Sequence, residues 1–261
     1  MTVLNRRDEG AVAYLEMNRP EALNALSDEL LAALGTAFDE IGADRGIRVV
    51  VLSGAGKAFC AGHDLRQMQA GRQSEDRGAA YLENLFSRCS KVMRAILNLP
   101  QPVVARVHGI ATAAGCQLVA SCDLAVAAET ARFGVNGVNI GLFCSTPMVA
   151  LSRNIGRKKA FEMLTTGRFL SAAEAETAGL VNRIVPEDQL DGAVSELAGT
   201  LAGKLGSAVA IGKPAFYAQA EMGLDEAYGF VGRVMVENML NPDTNEGIQA
   251  FIEKRRPDWD Q

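Results

Sequence analysis

The sequence predicts an α/β protein with a layered core and an all-helical C-terminal segment. The apolar run at residues 49–54 has the length and composition of a strand that is buried on both faces, and residues 102–107 predict another buried strand. Strand-like and helix-like stretches alternate along residues 1–200, whereas the pattern from residue 190 onward is helical. We therefore predict a core at 1–200 and a C-terminal helical region at 201–261, with no Pro/Gly-rich linker at the boundary.

The first half of the chain offers four further elements. Residues 12–17 alternate weakly and end at an Asn-Arg-Pro turn, which is typical of a strand that enters a loop. Ser27 is a good N-cap, and apolar residues then recur at helical spacing over 30–41. Residues 54–62 are mostly small and predict a loop. Residues 75–99 predict one long amphipathic helix that ends before two prolines.

The second half of the chain continues the alternation until the helical segment. Residues 108–115 predict a second loop of small residues. The elements after it are predicted in order: a buried helix at 116–122, a strand at 124–127 extended by 130–134, helices at 151–164 and 172–178, and a short strand at 180–185.

Composition excludes several classes of protein. The chain has 261 residues, 48% of them hydrophobic and 22% charged, and is long enough to build one large core. The net charge of −5 and the lack of a basic stripe argue against nucleic acid and an anionic membrane as partners. No apolar run reaches the roughly 18 uncharged residues that a membrane span requires.

The cysteines indicate a reducing environment. They form an odd set without Cys-x-x-Cys spacing, so we expect buried, reduced thiols and no metal site. The N-terminus has no apolar region typical of a signal peptide, and we expect a cytoplasmic protein. The five are Cys60, Cys89, Cys116, Cys122 and Cys144.

Two turns of small residues suggest chemistry. Residues 58–65 (AFCAGHDL) and 108–117 (HGIATAAGCQ) each follow a buried strand and lead toward a helix. Such turns leave backbone N–H groups unpaired, and two of them side by side can direct two N–H groups at one developing oxyanion. The alternative is a pair of tight turns packed between layers. Neither turn has the Gly-x-Gly-x-x-Gly or P-loop pattern that binds nucleotide phosphates.

Five ordered segments resemble the crotonase, or enoyl-CoA hydratase/isomerase, superfamily along nearly the whole chain. Residues 111–123 together with 141–147 (GLFCSTP) look most similar to one divergent branch of it, named enoyl-CoA hydratase domain-containing protein three. The segments are residues 18–26 (NRPEALNAL), 59–65 (FCAGHDL), 109–123 (GIATAAGCQLVASCD), Phe133-Gly134 followed by Gly141, and 247–255 (GIQAFIEKR).

The resemblance implies a crotonase-like spiral of ββα units with a C-terminal helical trimerisation segment, and thus a homotrimer or homohexamer. It implies a coenzyme A thioester as substrate or ligand in fatty acid metabolism, without a permanently bound cofactor. It places the oxyanion N–H groups at His63 and Ala114. It places coenzyme A along Glu21, Ala22, Leu23, Ala61, Asp64, Leu65 and Arg66, with Phe251 and Lys254 reaching it from a neighbouring subunit.

The two glutamates of ordinary hydratases are replaced at the matching positions. These positions hold Gln117 and Gly137, and Ser145 stands where other members of the family carry a further carboxylate. Gln can orient a water molecule but cannot accept its proton, and Gly has no side chain. Each lost acid–base group costs about 10²–10⁴-fold in rate.

Other residues remain as candidates for proton transfer. The imidazole of His63 is either a general base or packs at the loop, and Cys144 is either a nucleophile paired with His63 or a structural thiol. His108 is expected to be a satisfied core histidine. Asp64 is expected to cap a helix and Glu83 to face solvent, although either carboxylate could also serve in proton transfer.

Three functions therefore compete. The first is an enoyl-CoA hydratase-like lyase that stabilises a thioester enolate and has weak acid–base groups. The second is a non-catalytic acyl-CoA-binding protein on the same scaffold. The third is an enoyl-CoA isomerase or a thioester hydrolase.

Overall fold

The computed structural model describes residues 2–259, in which ten strands and eleven α-helices follow one another. The strands are β1 (Leu4–Glu9), β2 (Val12–Met17), β3 (Val49–Gly54), β4 (Ala58–Cys60), β5 (Val103–Val107), β6 (Ile110–Thr112), β7 (Leu124–Ala128), β8 (Arg132–Gly134), β9 (Phe169–Ser171) and β10 (Arg183–Val185). The helices are α1 (Asp28–Ala43), α2 (Leu65–Gly71), α3 (Ala79–Asn98), α4 (Ala114–Ser121), α5 (Pro147–Asn154), α6 (Arg157–Thr166), α7 (Ala172–Ala178), α8 (Leu190–Ala202), α9 (Gly206–Gln219), α10 (Leu224–Met239) and α11 (Pro242–Glu253).

The strands form two sheets of unequal size. The larger sheet has the order β1-β2-β3-β5-β7-β10, and the smaller one has the order β4-β6-β8-β9. Pairing is parallel except at β1–β2 and at β8–β9. From β3 to α5, each successive strand pair contributes one strand to each sheet and is followed by a helix, whereas β1 and β2 both join the larger sheet. The predicted α/β fold with its repeated strand–strand–helix units is confirmed.

Several local predictions are confirmed for the expected reasons. The Ser27 hydroxyl accepts a hydrogen bond from the backbone N–H of Leu30 (3.2 Å), which caps α1. The helix buries the predicted apolar positions, including Phe38 and Ile41. Five of the six residues of β3 and four of the five residues of β5 are buried, as expected for central parallel strands.

Three boundaries were predicted wrongly. Residues 130–134 do not extend β7, because the chain turns there and β8 joins the second sheet. Residues 151–164 form parts of two helices, α5 and α6, since extended backbone at Ile155 and Gly156 separates them. The helix predicted at 75–99 is α3, which begins only after Gly78, whose φ of 84° is left-handed.

Four strands were missed altogether, and one of them is β9, three residues at the edge of the smaller sheet. The two loops of small residues contain β4 and β6, three-residue strands too short to give a periodic pattern. Strand β1 carries mostly exposed polar residues, and its position at the edge of the sheet explains the weak signal.

A buried ion pair holds the C-terminal helices against the core. Lys213 on α9 is 8% exposed, and its ammonium donates to the carboxylate of Asp123 (2.6 Å) and to the carbonyls of Ile96 and Gln101 (both 2.8 Å). Tyr217 donates to the same carboxylate (2.8 Å). The predicted domain boundary at 200/201 stays a prediction. Within residues 2–259, no helix combines the length and apolarity that crossing a membrane demands.

Candidate functional site

The two turns of small residues meet at the edge of the smaller sheet. Strand β4 pairs with β6, which brings the segments that follow them side by side. A Cβ on Gly62 would lie 2.9 Å from the Ala113 Cβ and 3.4 Å from the Ala114 nitrogen. A Cβ on Gly115 would overlap the backbone of Cys60. The turns therefore approach this closely because glycine occupies both contact positions.

The backbone N–H groups of His63 and Ala114 are both unpaired within residues 2–259. The Leu26 N–H donates to the Gly62 carbonyl (2.7 Å), and the Leu26 carbonyl accepts from the Asp64 N–H (3.2 Å). These bonds use the groups on either side of His63 and leave the His63 N–H without an acceptor within residues 2–259. Ala114 is the first residue of α4, where an N–H has no intrahelical acceptor. Both residues line one cavity of about 460 Å³.

Ala113 positions the second donor at a cost in backbone strain. Its φ of 50° and ψ of −119° lie in a region that residues with a side chain rarely adopt. Its own N–H donates to the Gly134 carbonyl (2.9 Å), so the turn is held from below by β8. The next N–H, that of Ala114, is not bonded to the sheet and lies in the first turn of α4.

The rest of the cavity wall is mainly apolar. Its only titratable side chains within residues 2–259 are those of His63 and Cys144, and none is a carboxylate. The apolar members, Leu65, Met68, Phe86, Ile140, Leu142 and Phe143, come from α2, α3 and the segment that follows β8.

The His63 ring packs as a neutral, buried group. It contacts Phe86 edge to face, with ring centroids 5.4 Å apart. Its Nε2 is buried and has no hydrogen-bond partner among residues 2–259. Burial lowers the pKa of this imidazole to about 4, so it is uncharged at neutral pH. A base with so low a pKa is a poor proton acceptor.

Gly137 has no room for a side chain. A Cβ there would lie 2.6 Å from the Leu142 carbonyl oxygen and 2.9 Å from the Cys144 sulfur. The space next to Gly137 is thus filled by residues 142–144. The Leu142 N–H donates to the Gly137 carbonyl (2.9 Å), which holds these residues in place. A carboxylate cannot enter this position without moving that segment.

Gln117 lies on α4 and is 5% exposed. Its side-chain oxygen is buried and has no partner among the described residues, although it does not line the cavity. Burial raises the pKa of the Cys144 thiol, and no base pairs with it in the described chain, so it is not an activated nucleophile. Ser145 is exposed and donates to the Phe143 carbonyl (3.3 Å).

The remaining candidates for proton transfer lie away from the cavity. Asp64 caps α2 by accepting the N–H of Arg66 (3.0 Å) and pairs with Arg19 (2.9 Å); these partners hold its pKa below the usual value despite burial. Glu83 is exposed on α3, as predicted. His108 is only half-buried. Its Nε2 lies 2.8 Å from the Gly56 carbonyl oxygen, but its Nδ1 has no partner within residues 2–259. The prediction of a core histidine with both nitrogens satisfied is therefore only partly confirmed.

The residues predicted to follow coenzyme A fall into three groups. Ala61 and Leu65 line the cavity, and the Ala61 N–H donates to the Leu23 carbonyl (3.0 Å), which joins the N-terminal signature to the first turn. Glu21, Ala22, Asp64 and Arg66 flank that junction. Phe251 (84% exposed) and Lys254 lie at the end of α11 and do not line the cavity.

Sequence reasoning missed three residues of the cavity wall. Phe86 shares the apolar stripe of α3 with core residues, so its sequence position alone indicated packing. The Thr112 hydroxyl donates to the side-chain oxygen of Asn136 (2.6 Å), and both line the cavity. Nothing in the spacing of these two residues indicates the pair. All five cysteines are buried free thiols, as predicted.

This chain is similar in sequence and in structure to several known proteins. Residues 7–261 match the enoyl-CoA hydratase/isomerase family. The mitochondrial enoyl-CoA hydratase domain-containing protein 3 of Rattus norvegicus is 44% identical over 97% of this chain and 83% of its own length. A crystal structure of an enoyl-CoA hydratase from Mycobacterium smegmatis is 55% identical, covers 99% of both chains and has a TM-score of 0.95. That of human enoyl-CoA hydratase domain-containing protein 3 is 41% identical, covers 98% of this chain and 100% of its own, and has a TM-score of 0.94.

Proposed function

The chain belongs to the enoyl-CoA hydratase/isomerase family, and from that premise we propose that it binds acyl- or enoyl-CoA thioesters and polarises their carbonyl group with the backbone N–H groups of His63 and Ala114. The observation that carries this proposal is the pair of unpaired main-chain donors facing one apolar cavity. Fixed donors of this kind stabilise the negative charge that develops on a thioester oxygen when an enolate forms.

The proposed chemistry proceeds without the carboxylate pair of ordinary hydratases. No Asp or Glu within residues 2–259 lines the cavity, and the Gly137 position is closed to a side chain. Gln117 holds the position of the other glutamate, but its buried amide does not line the cavity and cannot accept a proton. We therefore propose a hydratase-like reaction that is slow, because proton transfer relies on solvent and on weak groups.

A non-catalytic acyl-CoA-binding protein is the second candidate. The observation that favours it is the same lack of carboxylates in the described cavity wall, together with a neutral His63 and a Cys144 thiol whose pKa is raised. Isomerisation and thioester hydrolysis also require a proton-transfer group, so the structure favours them no more than hydration.

Coenzyme A is proposed to run from the cavity along the segment of Leu23, Leu65 and Arg66. Phe251 and Lys254 are proposed to reach it from a neighbouring subunit, since they lie on an exposed helix outside their own cavity. A trimer, or a hexamer of two trimers, would cover the exposed apolar side chains of the C-terminal helices. These include Phe216, Leu224, Tyr228, Met235, Val236, Leu240 and Ile252.

The test is a binding and turnover assay on the full chain. We expect acyl-CoA and enoyl-CoA thioesters to bind with micromolar dissociation constants, and free coenzyme A to bind at least tenfold more weakly. Mass spectrometry of products over a panel of enoyl chain lengths separates the candidates. Slow formation of the hydrated product supports the hydratase-like proposal, and saturable binding without any product supports the binding protein. Equal affinity for thioesters and free coenzyme A contradicts both.

A further inference from the structure

A second cavity lies between the core and the C-terminal helices, away from the thioester site. It measures about 520 Å³, within the range of pockets that hold small molecules. Its walls come from the segment joining α1 to β3, from the start of β5, from the α8–α9 junction and from α11. It shares no residue with the cavity that holds His63 and Ala114.

Unsatisfied polar atoms are concentrated in this cavity. Buried polar groups nearly always have a hydrogen-bond partner, so each exception needs an explanation. Three of the six exceptions within residues 2–259 belong to residues that line this one cavity, namely Arg48, Gln101 and Ser207. The six atoms are Arg48 Nη1, His63 Nε2, Gln101 Oε1, His108 Nδ1, Gln117 Oε1 and Ser207 Oγ.

The orientation of Gln101 is fixed by its own hydrogen bonds. Its Nε2 donates to the carbonyls of Ile41 (2.8 Å), Asp44 (3.2 Å) and Ile47 (3.1 Å). Three carbonyl acceptors around one atom leave no doubt which end is the nitrogen, since an oxygen there would repel them. The oxygen of this side chain, which is 6% exposed, therefore points away from those carbonyls as an acceptor without a donor.

Arg48 and Ser207 supply the complementary groups. The Arg48 guanidinium brings a positive charge and a buried N–H donor that has no acceptor within 2–259. The Arg48 side chain is half-buried, so the charge is not fully removed from water, but an anion placed at Nη1 would accept a charge-assisted hydrogen bond from this unpaired donor. Ser207 is the second residue of α9, and the positive end of that helix dipole lies at the same wall.

The remaining lining limits the charge and shape of a ligand. Asp44, Arg45 and Asp243 also line the cavity, so two carboxylates balance its two guanidinium groups and disfavour a polyanion such as a nucleotide. Leu201, Leu205 and Val209 provide an apolar wall. We propose that this cavity binds a small monoanionic carboxylic acid that carries a hydroxyl group: the carboxylate lies at Arg48 and Ser207, the hydroxyl donates to Gln101 Oε1, and an aliphatic part lies on the leucines.

The proposal is tested by calorimetric titration of the full chain with three matched probes. 2-Hydroxy-4-methylpentanoate has all three features, 4-methylpentanoate lacks the hydroxyl, and 2-hydroxy-4-methylpentanamide lacks the charge. We expect the hydroxy acid to bind with a dissociation constant below about 1 mM and each of the others at least roughly tenfold more weakly, about the effect of one lost hydrogen bond to a buried group. No saturable binding of the hydroxy acid up to about 10 mM, or equal binding of all three, overturns the proposal.

Variants locate the bound acid. Arg48→Met is expected to weaken binding at least tenfold and Ser207→Ala severalfold, whereas the exposed Arg72→Met on the far end of α2 leaves it unchanged. Arg48→Met is also expected to keep or raise the melting temperature of the free protein, because it removes a buried N–H donor that has no acceptor within residues 2–259. Retained folding with lost binding supports the proposal. Binding that Arg48→Met leaves unchanged places the acid elsewhere and contradicts it.

Discussion

The two walls of the cavity that contains His63 and Ala114 offer different kinds of chemistry. One wall is made of turns whose donors are backbone N–H groups, those of His63 and Ala114, and glycine at the contact positions lets these turns approach. The opposite wall, residues 136–147, contains two positions where the family resemblance expects a carboxylate, Gly137 and Ser145, and no carboxylate of residues 2–259 lines it. A backbone donor does not depend on the side chain at its position, so the proposed carbonyl polarisation can persist where the carboxylates of proton transfer are missing.

Adding one methyl group between the turns should have the largest effect. Gly62→Ala combines a φ of 94° with an overlap against Ala113, and we expect the free energy of unfolding to fall by about 2–5 kcal/mol from strain and overpacking. Denaturant unfolding measures this change, and thioester binding should be lost with it. The matched control is Gly192→Ala, which meets no atom within 4 Å on α8 and should be neutral or stabilising. Equal effects of the two variants would refute the close approach.

Removing one N–H group without changing a side chain tests the donor wall directly. Replacing Ala114 by its hydroxy-acid analogue, lactate, turns that N–H into an ester oxygen. We expect a loss of 10²–10³-fold in turnover, or about 2.7–4 kcal/mol, if the group stabilises an oxyanion. The same replacement at Ala172, the first residue of α7, removes an equivalent N–H outside the cavity and serves as the control. Turnover that survives the Ala114 change would exclude this N–H as an oxyanion donor.

The side chain of His63 should matter for stability against acid rather than for carbonyl polarisation. Its pKa is about 4 in the folded protein and 6.5 ordinarily, so between these pH values the unfolded chain binds a proton that the folded chain does not. This difference in proton binding has no effect on stability above pH 6.5. As the pH falls from 6.5 to 4, the free energy of unfolding decreases by roughly 2–3 kcal/mol. Urea unfolding of His63→Phe at pH 4 and pH 7 should lack this loss. A stability difference from the wild type that stays constant with pH would show that the imidazole is not held neutral.

Restoring a glutamate on the opposite wall should fail for lack of space. In Gly137→Glu the new Cβ would meet the Leu142 carbonyl and the Cys144 sulfur, and overpacking of this kind costs about 1–3 kcal/mol. We expect Gly137→Glu to lower the stability and to give no gain in crotonyl-CoA hydration. Gln117→Glu is the matched control for size, because that position already holds a side chain as large as glutamate. A tenfold gain in hydration by Gly137→Glu alone would show that the wall is not closed.

Relief of backbone strain should have the smallest effect and the opposite sign. Ala113 has a φ of 50°, so Ala113→Gly should raise the free energy of unfolding by about 0.5–1 kcal/mol, the strain relieved less the entropy that glycine loses. Ala173→Gly on the exposed face of α7 is the control and should cost about 1 kcal/mol. If both variants lose stability equally, Ala113 is not strained.

The sequence predicted the buried strands and the capped helix α1 because those signals are local. Val49–Gly54 begins with four consecutive apolar residues, and Ser27 sits one position before α1, whose apolar stripe is regular. It did not predict β4, β6 or the break between α5 and α6, because these depend on pairing and packing between distant segments. For the same reason the sequence located the turns of His63 and Ala114 but not Phe86 or the Thr112–Asn136 pair. That Gly137 is closed to a side chain follows only from the position of Leu142 and Cys144 in space.

The central claim is that the thioester carbonyl lies between two backbone donors, and infrared difference spectroscopy measures this directly. An enoyl-CoA carrying a ¹³C-labelled carbonyl should show a lower carbonyl stretching frequency when bound to the wild type than when free in water. The shift should shrink in the Ala114 ester variant and remain in His63→Phe. An unshifted carbonyl band in the bound complex, or an identical shift in the ester variant, would contradict the account.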